Sequence, residues 1–155
     1  MDNIFEILDK NIIRSNKLND WESPDIFNYQ YWEVRSVLPD LILEGFNELT
    51  LFIQKKFNLS KKIDQKSKIS FYFWMKDELE KVANFERQML TPVVIQNSNI
   101  KPSPRAREFG KLLELKKLSN GNPILAAEIK KLEYGEVLDM LIAMVVESEA
   151  KYEKR

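Results

Sequence analysis

The 155-residue chain contains no cysteine and no histidine. The first absence removes disulfides, thiolate metal sites and thiol nucleophiles together. The second removes the usual general base near neutral pH and the commonest transition-metal ligand. Ser-His-Asp triads, histidine-bound zinc and Glu-x-x-His di-iron sites are thereby excluded. Net charge is also absent, since 24 acidic residues balance 24 basic ones. No overall field points to nucleic acid or to an anionic membrane. Long apolar runs are missing too. The longest, Met140 to Val146, falls far short of the roughly 20 residues that a spanning helix needs. The start, MDNIFEILDK, has neither the basic opening nor the apolar block of a signal peptide. A cytoplasmic protein without a membrane partner is expected, or one assembled into a particle made in the cytoplasm.

What is present has ordinary globular proportions, 44% hydrophobic and 31% charged. A length of 155 residues suits one domain, and a single helical domain over 1–155 is expected. Lysine outnumbers arginine 18 to 6, and asparagine and isoleucine are plentiful, a bias that suits an AT-rich bacterial or phage genome.

Helix signals dominate. Asp2 precedes Ile4, Phe5, Leu8 and Ile12 at helical spacing. SNKLNDWE reads as a loop. Ser23-Pro24-Asp25 then has the form of a helix start, with an N-cap serine and proline in the first turn. The aromatic-rich stretch behind it shows no clean face and fits either a buried helix or a partly extended segment. Pro39-Asp40 opens a helix to about Phe57, with Ile42, Leu43, Phe46, Leu49, Ile53 and Phe57 in one arc. A lysine-rich connection leads to a helix over 71–90. Thr91-Pro92 closes that helix, because proline disfavours a helical residue before it. Residues 91–103 read as an extended crossing segment whose only candidate strand is Val93–Ile95. Ser103-Pro104 starts another helix, Gly121 stops it, and Asn122-Pro123 starts the next. The apolar arcs before and after Gly135 point in nearly opposite directions, so a break is expected near it. The fold class is therefore all-α, an irregular bundle of six or seven helices with one extended crossing segment.

Candidate sites are few. On a helical wheel Phe71, Trp74, Met75, Leu79, Val82, Phe85, Met89 and Leu90 share one arc of about 160°. Phe73 falls on the polar face, the position of a partner-binding anchor, because aromatics are enriched at hot spots. Glu78 and Glu86 fall inside the apolar arc, where a carboxylate must be paired, hydrogen-bonded or protonated. They sit at helix-packing margins or meet a lysine or arginine from a neighbouring helix, and an acid/base pair two turns apart is the functional alternative. Trp21, Tyr29, Tyr31 and Trp32 lie outside the clear core arcs and join Phe73 as candidate partner-binding aromatics. Lys55, Lys56, Lys61, Lys62, Lys66 and Lys68 form the strongest local charge asymmetry, with only Asp64 among them. With Arg105 and Arg107 they are the candidate phosphate contacts of a nucleic-acid-binding module. Pro39-Asp40 and Asp64-Gln65-Lys66 match the spacing of PD-(D/E)xK nucleases. That family sets these residues on strands of one sheet, whereas here they fall on a helix start and in a lysine-rich loop. The turn at LSNGNP suggests a helix-turn-helix, but ILAAEIKKL lacks polar base-reading residues near its start. A carboxylate pair for Mg²⁺ would have to come from Glu44, Glu48, Glu78 and Glu86. No cofactor is expected. The reading reached from sequence is a non-catalytic interaction or assembly subunit, such as a phage or bacterial virion component, that binds a protein partner or itself.

Overall fold

The computed structural model describes residues 11–60, 62–90 and 110–153. Among them the fold is all-α, with six α-helices and one two-stranded hairpin. The hairpin pairs β1 (Lys17–Leu18) with β2 (Trp21–Glu22) antiparallel, Leu18 opposite Trp21. Asn19 closes its two-residue turn at a φ of 53°, a conformation that asparagine tolerates better than most residues. The sequence reads this stretch as plain loop. The difference is two residues per strand, too short for any alternation to register.

The expected helix start at Pro24 yields only a 3₁₀ turn, Ile26–Asn28. The chain then touches Glu133 through a β-bridge at Gln30 and winds into a π-helical turn, Glu33–Val37. This turn runs straight into α1 (Leu38–Glu44). The single helix expected over 40–57 is two. Gly45 breaks it at φ 134°, ψ 177°, a conformation open to glycine and strained for other residues. α2 (Phe46–Phe57) follows. The break sends Leu43 into solvent at 86% exposure and removes it from the arc that a continuous helix would give it.

α3 (Gln65–Leu90) contains the helix expected over 71–90 but begins six residues earlier, so Lys66 and Lys68 stand on its first turn rather than in a loop. α4 (Gly110–Ser119) ends with Asn120 in the left-handed region and Gly121 donating its N–H to the Lys116 carbonyl at 3.0 Å. This is the Schellman arrangement, with Asn120 rather than glycine at the left-handed position. Asn122 caps α5 (Pro123–Lys131) by accepting from the Ile124 and Leu125 amides. The expected break lies just before Gly135: α5 ends at Lys131, Leu132 and Glu133 are extended or bridging, and α6 (Tyr134–Glu153) begins at Tyr134. The helix around Ile4–Leu8, the strand at Val93–Ile95 and the helix start at Ser103 lie outside the described residues.

Contacts gather the chain into two compact units, residues 1–25 with 37–81 and residues 26–36 with 82–155. In the first, Leu18, Leu38, Leu49, Ile53, Phe71 and Met75 form the buried core. Trp21 packs on Phe57 and Phe71 at ring distances of 4.8 and 6.3 Å. The Tyr72 hydroxyl donates to the Ile42 carbonyl at 2.7 Å. In the second unit Ile26, Tyr29, Tyr31, Ile129, Tyr134, Val137 and Leu138 are buried. Two main-chain hydrogen bonds, Tyr31 N to Leu132 O and Tyr134 N to Tyr29 O, strap segment 29–31 beside 132–134.

Phe73 is the main correction. It is only 7% exposed. The segment around Arg14 crosses its face: the guanidinium lies 5.4 Å from the ring centroid, while Tyr72 stands edge-on at 5.2 Å. Arg14 is itself tied to Asp77 at 2.8 Å. A one-helix projection cannot see a second segment lying on the polar face. Phe73→Ala should therefore cost about 3–5 kcal/mol, the range for a buried aromatic, against under about 0.5 kcal/mol for an exposed one. A urea midpoint at constant m-value measures it.

Candidate functional site

Within the second unit three features can do chemistry or binding: a half-buried ionic hub, a lysine-flanked indole, and an apolar-lined groove with exposed apolar residues on its rims.

The hub centres on Arg35, which the π-helical turn directs inward. Its Nη1 donates to both oxygens of Glu86, at 2.7 and 2.6 Å, and its Nε donates to Glu114 Oε1 at 2.9 Å. Its buried Nη2 sits 2.8 Å from the same Glu114 oxygen without making a hydrogen bond. Each carboxylate also accepts a phenol. Tyr31 donates to Glu114 at 2.5 Å, and Tyr134 donates to Glu86. The two rings flank the guanidinium at 5.6 and 5.9 Å. Burial alone would lower the Arg35 pKa, but Glu86 and Glu114 more than offset it and hold the charge firmly in place. Burial, and then the hydrogen bond to its carboxylate, pushes each phenol well above the usual tyrosine range. Every member is engaged by another member of the hub, so the geometry describes a lock between four segments. The two phenols are buried, whereas Glu114, its side chain 24% exposed, also lines the groove between α4 and α6.

Of the outcomes open to a carboxylate in the apolar arc, Glu86 takes a cation from another segment, Arg35 of the π-helical turn. Glu78 finds its cation on its own helix, in Lys81 at 2.9 Å. Asp77, one position before Glu78, takes Arg14 instead. Sequence reasoning does not single out Arg35, Glu114 or Tyr134. The only signal is the misplaced Glu86, and nothing local says which arginine answers it. Among the described residues no cluster of three or more metal-ligating side chains forms.

Trp32 is half-buried, with Lys130 Nζ 4.4 Å and Lys111 Nζ 5.9 Å from its ring. Lys111 also donates to Ser36 at 2.9 Å. The two ammonium groups come from α4 and α5 and have no carboxylate within ion-pair distance among the described residues.

The other sequence candidates are dispersed. Tyr29 and Tyr31 are fully enclosed, with Tyr31 serving the hub. Trp21 is half-exposed but packed on two phenylalanines of the first unit. Lys55 and Lys56 are exposed on the last turn of α2, and Lys56 lies over Phe57. Lys62 and Lys68 line a shallow polar hollow together with Asp20 and Asp64, so the hollow carries both signs. Asp64 lies just before α3 and Asp40 within α1, neither on a strand. Lys61, Arg105 and Arg107 lie outside the described residues.

Exposed apolar side chains are unevenly divided. Of fourteen large ones among the described residues, three (Ile13, Leu43 and Leu51) belong to the first unit and the remaining eleven to the second. The expected arc of α3 is covered only in part: Phe71, Met75 and Val82 are buried, whereas Phe85 and Met89 near its end are exposed. A groove of about 530 Å³ runs between the end of α3, α4 and α6, lined by Leu90, Leu113, Leu141, Met144 and Val145. Ile124 on α5 is 73% exposed.

No protein-family model, curated protein or solved structure matches the chain. Geometry alone therefore bears on function. Among the described residues no helix is long and apolar enough to cross a membrane.

Proposed function

We propose that the protein is an interaction or assembly subunit whose docking surface is the apolar face of the second unit. The observation that carries this reading is that eleven of the fourteen exposed large apolar side chains among the described residues belong to this unit, and that two of them, Leu113 and Met144, line its groove with Leu90, Leu141 and Val145. Single exposed leucines are normal; an apolar-lined groove with an exposed leucine and an exposed methionine on its two rims is what an interface offers a partner. Met140 and Met144 suit such a surface, because methionine adapts its shape to a partner. The hub beneath supports the same reading, since it holds α3, α4 and the start of α6 in fixed register with segment 31–35. A rigid platform lowers the entropy cost of docking. Nucleic-acid contact finds less support, as Asp20 and Asp64 share the lysine hollow.

The test is a double charge substitution, Leu113→Glu with Met144→Glu, at residues 47% and 44% exposed. Helical circular dichroism should be unchanged, because neither side chain is buried. The tagged wild-type chain, sized from the cells that make it, should run above its own mass, and the variant at the mass of one chain. A wild type that runs at the mass of one chain contradicts the reading.

A further inference from the structure

The chemistry of the two helices beside the groove narrows the choice of occupant, on the same reading of this surface as an interface. α4 presents Leu112, Leu113, Lys116 and Lys117 to solvent, all exposed and all within one half of the helix at 100° per residue. That face is apolar and purely basic. The exposed face of α6 is apolar and acidic: Met140, Met144 and Val146 are interleaved with Glu136, Asp139 and Glu147. None of these five charged side chains is held in an ion pair among the described residues. The two helices stand on opposite rims of one groove, with Leu113 and Lys117 on one side and Met144 and Ser148 on the other.

From this arrangement we propose that the surface binds a second copy of the same chain. A two-fold axis passing over the groove sets each α6 opposite the α4 of the other copy. Residue i then meets residue j twice, as an isologous contact requires. Leucines meet methionines, and lysines meet carboxylates, in both halves at once. The zero net charge of the chain leaves no overall repulsion to overcome. The charges fix the pairing of faces, which is what complementary charges at an interface do best.

Sedimentation velocity on the purified full chain tests this with two reversals, Lys116→Glu with Lys117→Glu, and Asp139→Lys with Glu147→Lys. The wild type should sediment at twice the chain mass. Each reversal places like charges across both contacts and should weaken self-association by about tenfold or more. An equimolar mixture of the two variants restores opposite charges at both contacts and should recover the doubled mass. Unchanged circular dichroism of each variant shows that folding is not the cause. A wild type at the mass of one chain overturns the proposal, as does a mixture that stays monomeric when its components do. If the purified chain is monomeric yet runs with a different protein in cell extract, the second copy is wrong and the interaction reading stands.

Discussion

Replacing Arg35 with methionine is expected to cost about 3–5 kcal/mol, the largest effect of any single substitution among the charged residues. The size follows from what is left behind. Glu86 and Glu114 would remain largely withdrawn from water, their side chains 16% and 24% exposed, without their shared cation and each holding only a phenol. An uncompensated buried carboxylate is far more expensive than the ion pair was favourable. For a chain of this length the loss corresponds to a fall in melting temperature of about 10 °C or more. Adding Glu86→Gln and Glu114→Gln to the Arg35→Met chain should recover part of it, since neutral amides need no counter-charge. Thermal melts of the single and triple variants measure both effects. If the single variant melts within a degree or two of the wild type, the hub does not hold these segments together.

The second large effect appears in alkali. Tyr31 and Tyr134 have their pKa values raised in the folded chain by burial and by their carboxylate partners. In the unfolded chain both titrate near pH 10. Below about pH 10 both states keep their protons and the stabilisation is complete. Above it the unfolded state ionises while the folded state does not, so stability falls as pH rises, until the folded phenols themselves ionise. The slope is about 1.4 kcal/mol per pH unit for each phenol, hence about 2.8 for the pair. Urea titrations between about pH 9 and 11 should show this loss. A Tyr31→Phe, Tyr134→Phe chain should lose that part of the slope. Tyrosinate absorbance from these two residues should appear only with unfolding. Reversible ionisation of both near pH 10 in the folded chain would show that neither phenol is held as the hub requires.

Much of the architecture is legible in the residues, and the parts that are not share a cause. Signals that act within one turn of chain hold: Asn122-Pro123 caps α5, the amphipathic run over 71–90 forms α3, and the opposed arcs around Gly135 mark a real break. Gly45 escapes notice because one glycine within a helical pattern is usually tolerated, and only its φ of 134° shows that the chain turns there. Segments whose state depends on distant partners stay ambiguous. Pro24 promises a helix, but the strap between 29–31 and 132–134 and the pull of Arg35 into the hub impose other geometry on 26–37.

The site shows the same division. Glu86 is visible as a charge in the wrong place, because helical periodicity is local. Its arginine lies 51 residues away, and no local pattern can name it. Phe73 projects as exposed for the same reason that Leu43 projects as buried: both placements assume a single straight helix and ignore what else crosses it. The surface on α4 and α6 has no sequence signature at all. Apolar residues at helical spacing read as core, and only the packing shows which of them the chain leaves uncovered.

Whether anything covers that surface can be read from methionine oxidation. The chain carries its own references, since Met75 is buried in the first unit while Met140 and Met144 lie on the proposed interface. Brief hydroxyl-radical exposure is applied to the chain as it sizes from cells, and to the same chain carrying Leu113→Glu and Met144→Glu. Peptide mass spectrometry reads Met140 and Met75 in both. Met75 should resist oxidation in each case. Met140 should be protected in the wild-type assembly and oxidise readily in the variant. Equal oxidation of Met140 in the two would show that nothing covers this face, and the docking surface would have to lie elsewhere.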